Sequence, residues 1–379
     1  MPSTDRALLN ALPLVLAAAV MSAVPASADT IAPDIDSFTL YAGRNVTLGA
    51  GSVVDGPLGA GNDLSAGTDV SLNDAFVDRD IHLGARAVVR GTVLANRSAE
   101  AGSDLDFEGP SWTGWNVCLG PRASVVGRVA SNTGGTAISS HGHVVGDITS
   151  NYTVYIASDS TVEGNVSPGM GGHFIVGDNV TITGAVASGR SPFDVFEAPG
   201  LGDEPRRDAC GTRNVSQGDG AVRTLAPGAY NDVDMWGADT TLTLSAGAYA
   251  ICELWIASGG TVNADTADGD VILNVHKRLA AGSDVTFDVT GPGSFEINLF
   301  DNDLRLGRDA AVEADIRVWD GSFRAEDNFS LVGRVWADKD IHLGGSPAVA
   351  LPVEVPEPSA MLLLTCGALL GIRPRRRAG

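Results

Sequence analysis

Asn116-Val-Cys-Leu-Gly-Pro-Arg-Ala-Ser-Val-Val-Gly-Arg-Val-Ala-Ser-Asn132 aligns with Thr153-Val-Tyr-Ile-Ala-Ser-Asp-Ser-Thr-Val-Glu-Gly-Asn-Val-Ser-Pro-Gly169. His173-Phe-Ile-Val-Gly-Asp-Asn-Val-Thr-Ile-Thr-Gly-Ala-Val-Ala-Ser-Gly189 follows the same template, and residues 136–151 fit it one residue short. In each block apolar and polar residues alternate until a Gly or small polar residue breaks the run. A period of two turns one face of a short strand inward, and Gly is expected to supply the corner conformation. A repeat this short cannot bury its apolar face alone, so it must stack on its neighbours. Val, Thr, Gly and Asn at this density disfavour a helical repeat. The predicted fold is therefore all-β: a parallel β-helix, or solenoid, of right-handed sense.

The pattern extends in both directions. Asp80-Ile-His-Leu-Gly-Ala-Arg-Ala-Val-Val-Arg-Gly-Thr-Val-Leu-Ala-Asn96 is a full block two coils upstream, which leaves residues 97–115, with Trp112 and Trp115, as a distorted coil with an outward loop. Residues 191–220 are rich in Pro, Gly and charge and read as a linker or projecting loop. Strand signals resume over residues 221–350 in longer, more interrupted runs, so this second half is expected to be wider than the first, residues 29–190. Ala337-Asp-Lys-Asp-Ile-His-Leu-Gly344 nearly repeats Val77-Asp-Arg-Asp-Ile-His-Leu-Gly84, which ties both halves to one architecture.

The formal charge of the 379 residues is -21. A surface this acidic repels nucleic acid and anionic lipid, so neither is an expected partner. Residues 1–28 read as a signal peptide: Arg6 in a short n-region, an apolar run, and the cleavage site Ala26-Ser27-Ala28. That predicts an exported chain.

The other end has three features in fixed order. Val355-Pro356-Glu357-Pro358 is followed by fourteen uncharged residues, 359–372, and then by Arg373, Arg375, Arg376 and Arg377. An apolar run closed by cations is the stop-transfer order. Residues 351–379 thus resemble the PEP-CTERM sorting signal. The resemblance implies an exosortase-type processing enzyme as partner, transient residence in the inner membrane through a membrane-sorting helix, and a producer of exopolysaccharide. The Val-x-Gly-x-Val phrasing within residues 80–189 is similar to the coils of bactofilin-type polymer-forming proteins, although export argues against the cytoskeletal role of that family.

Site chemistry is sparse. Of Cys118, Cys210, Cys252 and Cys366, the last lies in the tail, and an exported chain can close one disulfide among the others. Cys210 and Cys252 are the best pair because Cys210 lies in the segment that a bridge would pin. Cys118 reads as a small core residue. His141-Gly-His143 reads as an exposed corner rather than a metal pair. Asp265, Asp268, Asp270, Asp301 and Asp303 are residue types that calcium favours, but Asp is also the ordinary turn residue, so no cofactor or metal site is assigned. No stretch sets an acid pair beside Arg or Lys at the spacing of a β-helix lyase or hydrolase. Residues about 20 apart can still meet across stacked coils. The expected function is a non-catalytic structural protein of the cell surface or of an exopolysaccharide-associated matrix. Two alternatives stay open: a β-helix polysaccharide lyase or hydrolase, and an adhesin binding sugar through the Trp112 loop.

Overall fold

The computed structural model of the chain describes residues 30–189, 194–205 and 207–352. Ala26 and Ala28 of the cleavage site, and the tail residues Val355, Pro356, Glu357, Pro358, Arg373, Arg375, Arg376 and Arg377, lie outside them. Among the described residues no helix is long and apolar enough to cross a membrane.

The described chain is a β-solenoid of about 16 turns, with 39 strands in one continuous parallel sheet. One coil comprises Leu40–Ala42, Val46–Leu48 and Val53–Asp55, and the next repeats it as Leu58–Ala60, Leu64–Ala66 and Ser71–Leu72 in parallel register. At about 4.8 Å per coil the rod is roughly 75 Å long.

The sequence template maps directly onto a coil. In the block opening at Asn116, Val117, Leu119, Ala123, Val125 and Val129 are all buried. The corners depart from expectation. Their left-handed positions are held by Asp69, Arg86, Asp104, Arg122, His141, Asp159 and Asn179, with φ between 58° and 62°. Asp and Asn tolerate this region better than most side chains. Glycine holds the same corner at Gly51 and Gly259, with φ of 73° and 76°, and elsewhere serves close approach between coils. A Cβ on Gly84 would collide with the backbone of Gly67, and one on Gly49 with the backbone of Gly344.

The chain enters this rod at its middle. From Leu40 the coils stack in order to Phe174–Val176 and Thr181–Ile182 at one end. The chain then returns along the outside and begins again at the opposite end with Val215–Gln217. It winds back until Val335–Ala337, Ile341–Leu343 and Ala348–Ala350 form the coil beneath Leu40–Ala42, Val46–Leu48 and Val53–Asp55. The near-identical phrases are explained by this path. Ile341, Val46, Leu64 and Ile81 occupy one ladder in register, so both copies lie on the same face.

The segment read as a linker or projecting loop runs along the rod as a return strap, and the stack resumes at Val215, within the stretch read as 191–220. Asn96 holds the strap by donating to the Phe196 carbonyl at 2.7 Å and accepting from its N–H at 2.8 Å. The Tyr41 hydroxyl donates to the Pro199 carbonyl at 2.5 Å. Between strap and rod, Phe196 of the strap packs with Phe38, Tyr41, Leu94 and Trp336 in a second apolar cluster. Burying side chains of this size stabilises by roughly 1.5–3 kcal/mol each. Apolar side chains on both sides of these strands follow from the strap above and the core below.

Three further readings are corrected or extended. Residues 97–115 form a coil that stays in the stack and is distorted by a register shift between Glu108 and Ser111. Trp112, expected in an outward loop, is fully buried, its ring 5.3 Å from Phe107 in a T-shaped contact, and Trp115 is exposed. Cys118 points outward, because Val117 and Leu119 on either side point inward. The second half is wider where expected: Thr261 pairs with Thr286 and Thr286 with Ala311, steps of 25 residues.

Candidate functional site: the uncovered flank

The strap covers much of one face. The face that includes Val46–Leu48 and its ladder partners leaves its outward side chains in solvent. Here stacking assembles what no local motif contains. Arg305 pairs with Arg324, Arg324 with His342, and His342 with Thr47, so three basic side chains follow one another on consecutive coils. They border three contiguous depressions of about 600, 540 and 220 Å³, the last reaching Asn45 and Thr47 across the joint between the two halves. The row is locally balanced. Asp303 lies 3.3 Å from Arg305 and 3.5 Å from Arg324, and Arg308 lies 3.8 Å from Glu326. At the adjoining corner, Arg86 meets Asp69 at 2.6 Å and Arg122 meets Asp104 at 2.7 Å. These guanidinium hydrogen bonds hold both carboxyls below their ordinary pKa.

The residues singled out from sequence are spread along the rod. Cys210 and Cys252 are joined in a disulfide with Cα atoms 5.4 Å apart, fastening the end of the strap to the strand Gly247–Ile256. Just before it, Arg207 bonds Asp301 at 3.0 Å and lies 5.2 Å above the Phe300 ring. His276 lies beside Phe300. Burial, and then the Arg207 charge, push its imidazole pKa down. His141 and His143 turn to different carboxylates, Asp159 at 3.9 Å and Glu163 at 3.1 Å. Asp270 accepts from the Ser294 N–H and hydroxyl, both at 2.8 Å, and Asp303 accepts from the Ser322 N–H at 3.1 Å, as turn carboxylates do. No group of three His, Cys, Asp or Glu side chains among the described residues is placed to hold a metal ion.

Carboxylates do meet across coils. Asp315 stands in register with Glu296 and 3.6 Å from Arg334, beside a depression of about 390 Å³. Burial raises the Asp315 pKa against the opposing pull of Arg334. Sequence reading missed this pair and the arginine row because their members are 18 to 19 residues apart. It also passed over Trp236 and Trp255, which strand parity turns outward.

No protein family matches the chain, and no curated protein does. Among solved structures, it is similar to an ice-binding protein from an Antarctic bacterium, Flavobacteriaceae, at 10% identity and a TM-score of 0.26, covering 84% of this chain and 97% of that one. Ice binding is a property of that protein. At this score the likeness carries no argument for this chain.

Proposed function

We propose that this chain is an exported, non-catalytic structural component of the cell surface or of an exopolysaccharide-associated matrix, delivered by a PEP-CTERM-type tail that an exosortase-type enzyme processes at the inner membrane. The observation that carries the reading is the self-locked rod. The strap links two halves wound in the same sense into a single parallel stack, a disulfide fastens the end of the strap, and the uncovered flank carries open depressions between outward side chains. Such a body suits a load-bearing or spacing role. The terminal signals, read from sequence, support its route.

Two measurements test the proposal. Fractionation of producing cells should recover the processed protein at the surface or in the matrix, and replacing Pro356, Glu357 and Pro358 by alanine should hold the precursor in the membrane. The processed protein, incubated with the producer's own polysaccharide, should release no reducing or unsaturated ends. Release that is abolished by Asp315→Asn would replace the structural role with chain cleavage at the Asp315–Glu296 pair, hydrolytic if only reducing ends appear and eliminative if unsaturated ends appear.

A further inference from the structure

Two tryptophans stand in solvent on neighbouring coils near the disulfide-fastened end of the rod. Trp236 is 59% exposed and Trp255 is 39% exposed. Both belong to the uncovered flank. Met235 and Ile256, adjacent to them in the chain, are fully buried, so strand parity turns both indoles outward. Trp255 pairs with Asp234, and Trp236 follows two residues later, just past the end of that strand at Met235. With strands about 4.8 Å apart and about 3.3 Å per residue, the two Cα atoms are about 8 Å apart.

Their surroundings are fitted to a flat ring. The Trp236 indole N–H donates to Ser216 Oγ at 3.0 Å, and its six-membered ring lies over Gly218. Any side chain at Gly218 would strike that ring, so the glycine permits the indole to lie down on the sheet. Ala280 leaves the other side of Trp255 low, since Trp255 pairs with it on the next coil. Around the indoles stand Asp232, Asp234 and Glu253, with Asp232 and Glu253 in direct register, and the exposed Arg278 pairs with Glu253 on the next coil. Exposed apolar surface framed by hydrogen-bonding groups marks a contact site, and Trp is over-represented where such sites concentrate binding energy.

We propose that Trp236 and Trp255 form a stacking platform for a neutral hexopyranose chain. The apolar C–H face of a sugar ring covers each indole, while ring hydroxyls donate to the three carboxylates. Charge selects the class of ligand. Three carboxylates against the single guanidinium of Arg278 leave the platform net negative, which repels a polyuronate or a sulfated glycan while the carboxylates accept from uncharged hydroxyls. The site names the sugar class for the matrix role proposed above, and it rests on that reading only for its biological setting.

The experiment is a titration of the processed protein, followed by calorimetry and by intrinsic Trp fluorescence, with four neutral hexasaccharides (cellohexaose, maltohexaose, mannohexaose and chitohexaose) and with hexagalacturonate. At least one neutral chain should bind saturably and shift the emission, and hexagalacturonate should not bind. Trp236→Ala and Trp255→Ala should each weaken binding about tenfold or more, which is about 1.4 kcal/mol. Trp115→Ala should leave it unchanged, and Trp255→Phe, which keeps an aromatic face, should retain part of it with an unaltered circular dichroism spectrum. Absence of binding by all four neutral chains, preference for hexagalacturonate, or equal loss in Trp115→Ala would each overturn the proposal. A protein that is found in the matrix but binds none of them refutes the platform alone, whereas one that cleaves the polymer refutes the structural role.

Discussion

Leu40 and Val335, near opposite ends of the described chain, are adjacent rungs of one parallel ladder. The middle of the rod is therefore a non-covalent joint, closed by main-chain hydrogen bonds on three faces and by the apolar residues of both halves beneath them. The covalent path between the halves runs through the strap.

Cutting the strap should accordingly leave the rod assembled. A protease site placed in residues 201–205, once cleaved, should yield two chains that co-elute in native size exclusion and separate only in denaturant. The disulfide cannot account for such an outcome, since Cys210 and Cys252 fall in the same fragment. Two species in native buffer would contradict the joint.

The core register makes a sharper demand. Val162 is fully buried between Val144 and Ile182 on neighbouring coils. Val162→Asp buries an unpaired charge and should cost several kcal/mol, with loss of strand signal extending to adjacent coils because each supports only its neighbours. A melting temperature unchanged from the parent protein would reject the register.

The disulfide closes a loop of 42 residues. Chain-entropy reasoning gives such a bridge about 4 kcal/mol, so Cys210→Ser should lower the melting temperature, and reduction of the parent protein should do the same. Cys118 should be the thiol that labels in the native oxidised state. Burial of its stem, and then the Glu100 charge, raise its pKa, so labelling should be slower than for a free thiol. Peptide mapping that finds Cys210 and Cys252 both labelled would remove the bridge.

Acid should act on the rod in two opposite ways. Asp69 and Asp104 have lowered folded pKa values. Their pairing with Arg86 and Arg122 therefore stabilises above the unfolded carboxyl value of about 3.9 and is lost as pH falls through the folded values. Asp315 is raised. Its contribution is full below the unfolded value and is lost as pH rises through the folded one. Asp315→Asn should thus hold or raise the melting temperature at neutral pH, while Asp104→Asn should lower it slightly there and leave it unchanged in strong acid. Melting curves across pH 2 to pH 8 (values chosen to bracket about 3.9) check both signs.

Much of the fold is legible in local alternation, because alternation is what a coil requires. Val162 and Ile182 are identifiable as inward neighbours before any coordinates exist. Coil order is a different matter. Every coil presents similar edges, so a local repeat does not say which coil lies at an end and which in the middle. Only the phrase shared by residues 77–84 and 337–344 carries that information. Trp112 escaped because its strand, Asp106–Gly114, shifts register between Glu108 and Ser111, where Gly109 and Pro110 resemble a loop. Cys118 was misread by one position of parity. The same parity, applied to Met235 and to Leu254 and Ile256, turns Trp236 and Trp255 outward. The arginine row and the Asp315–Glu296 pair require the coil-to-coil register itself, which no single block contains.

The entry at mid-rod also fixes how the molecule takes a pull. Ala350 lies beside Asp55 in the first coil of the first half, so whatever follows Pro352 leaves from the waist. A force applied there divides between two arms of comparable length, and the rod pivots broadside instead of standing like a post. Tension of that kind shears the joint across many parallel hydrogen bonds at once, the loading direction in which a ladder yields last, and it leaves both tips free to sweep.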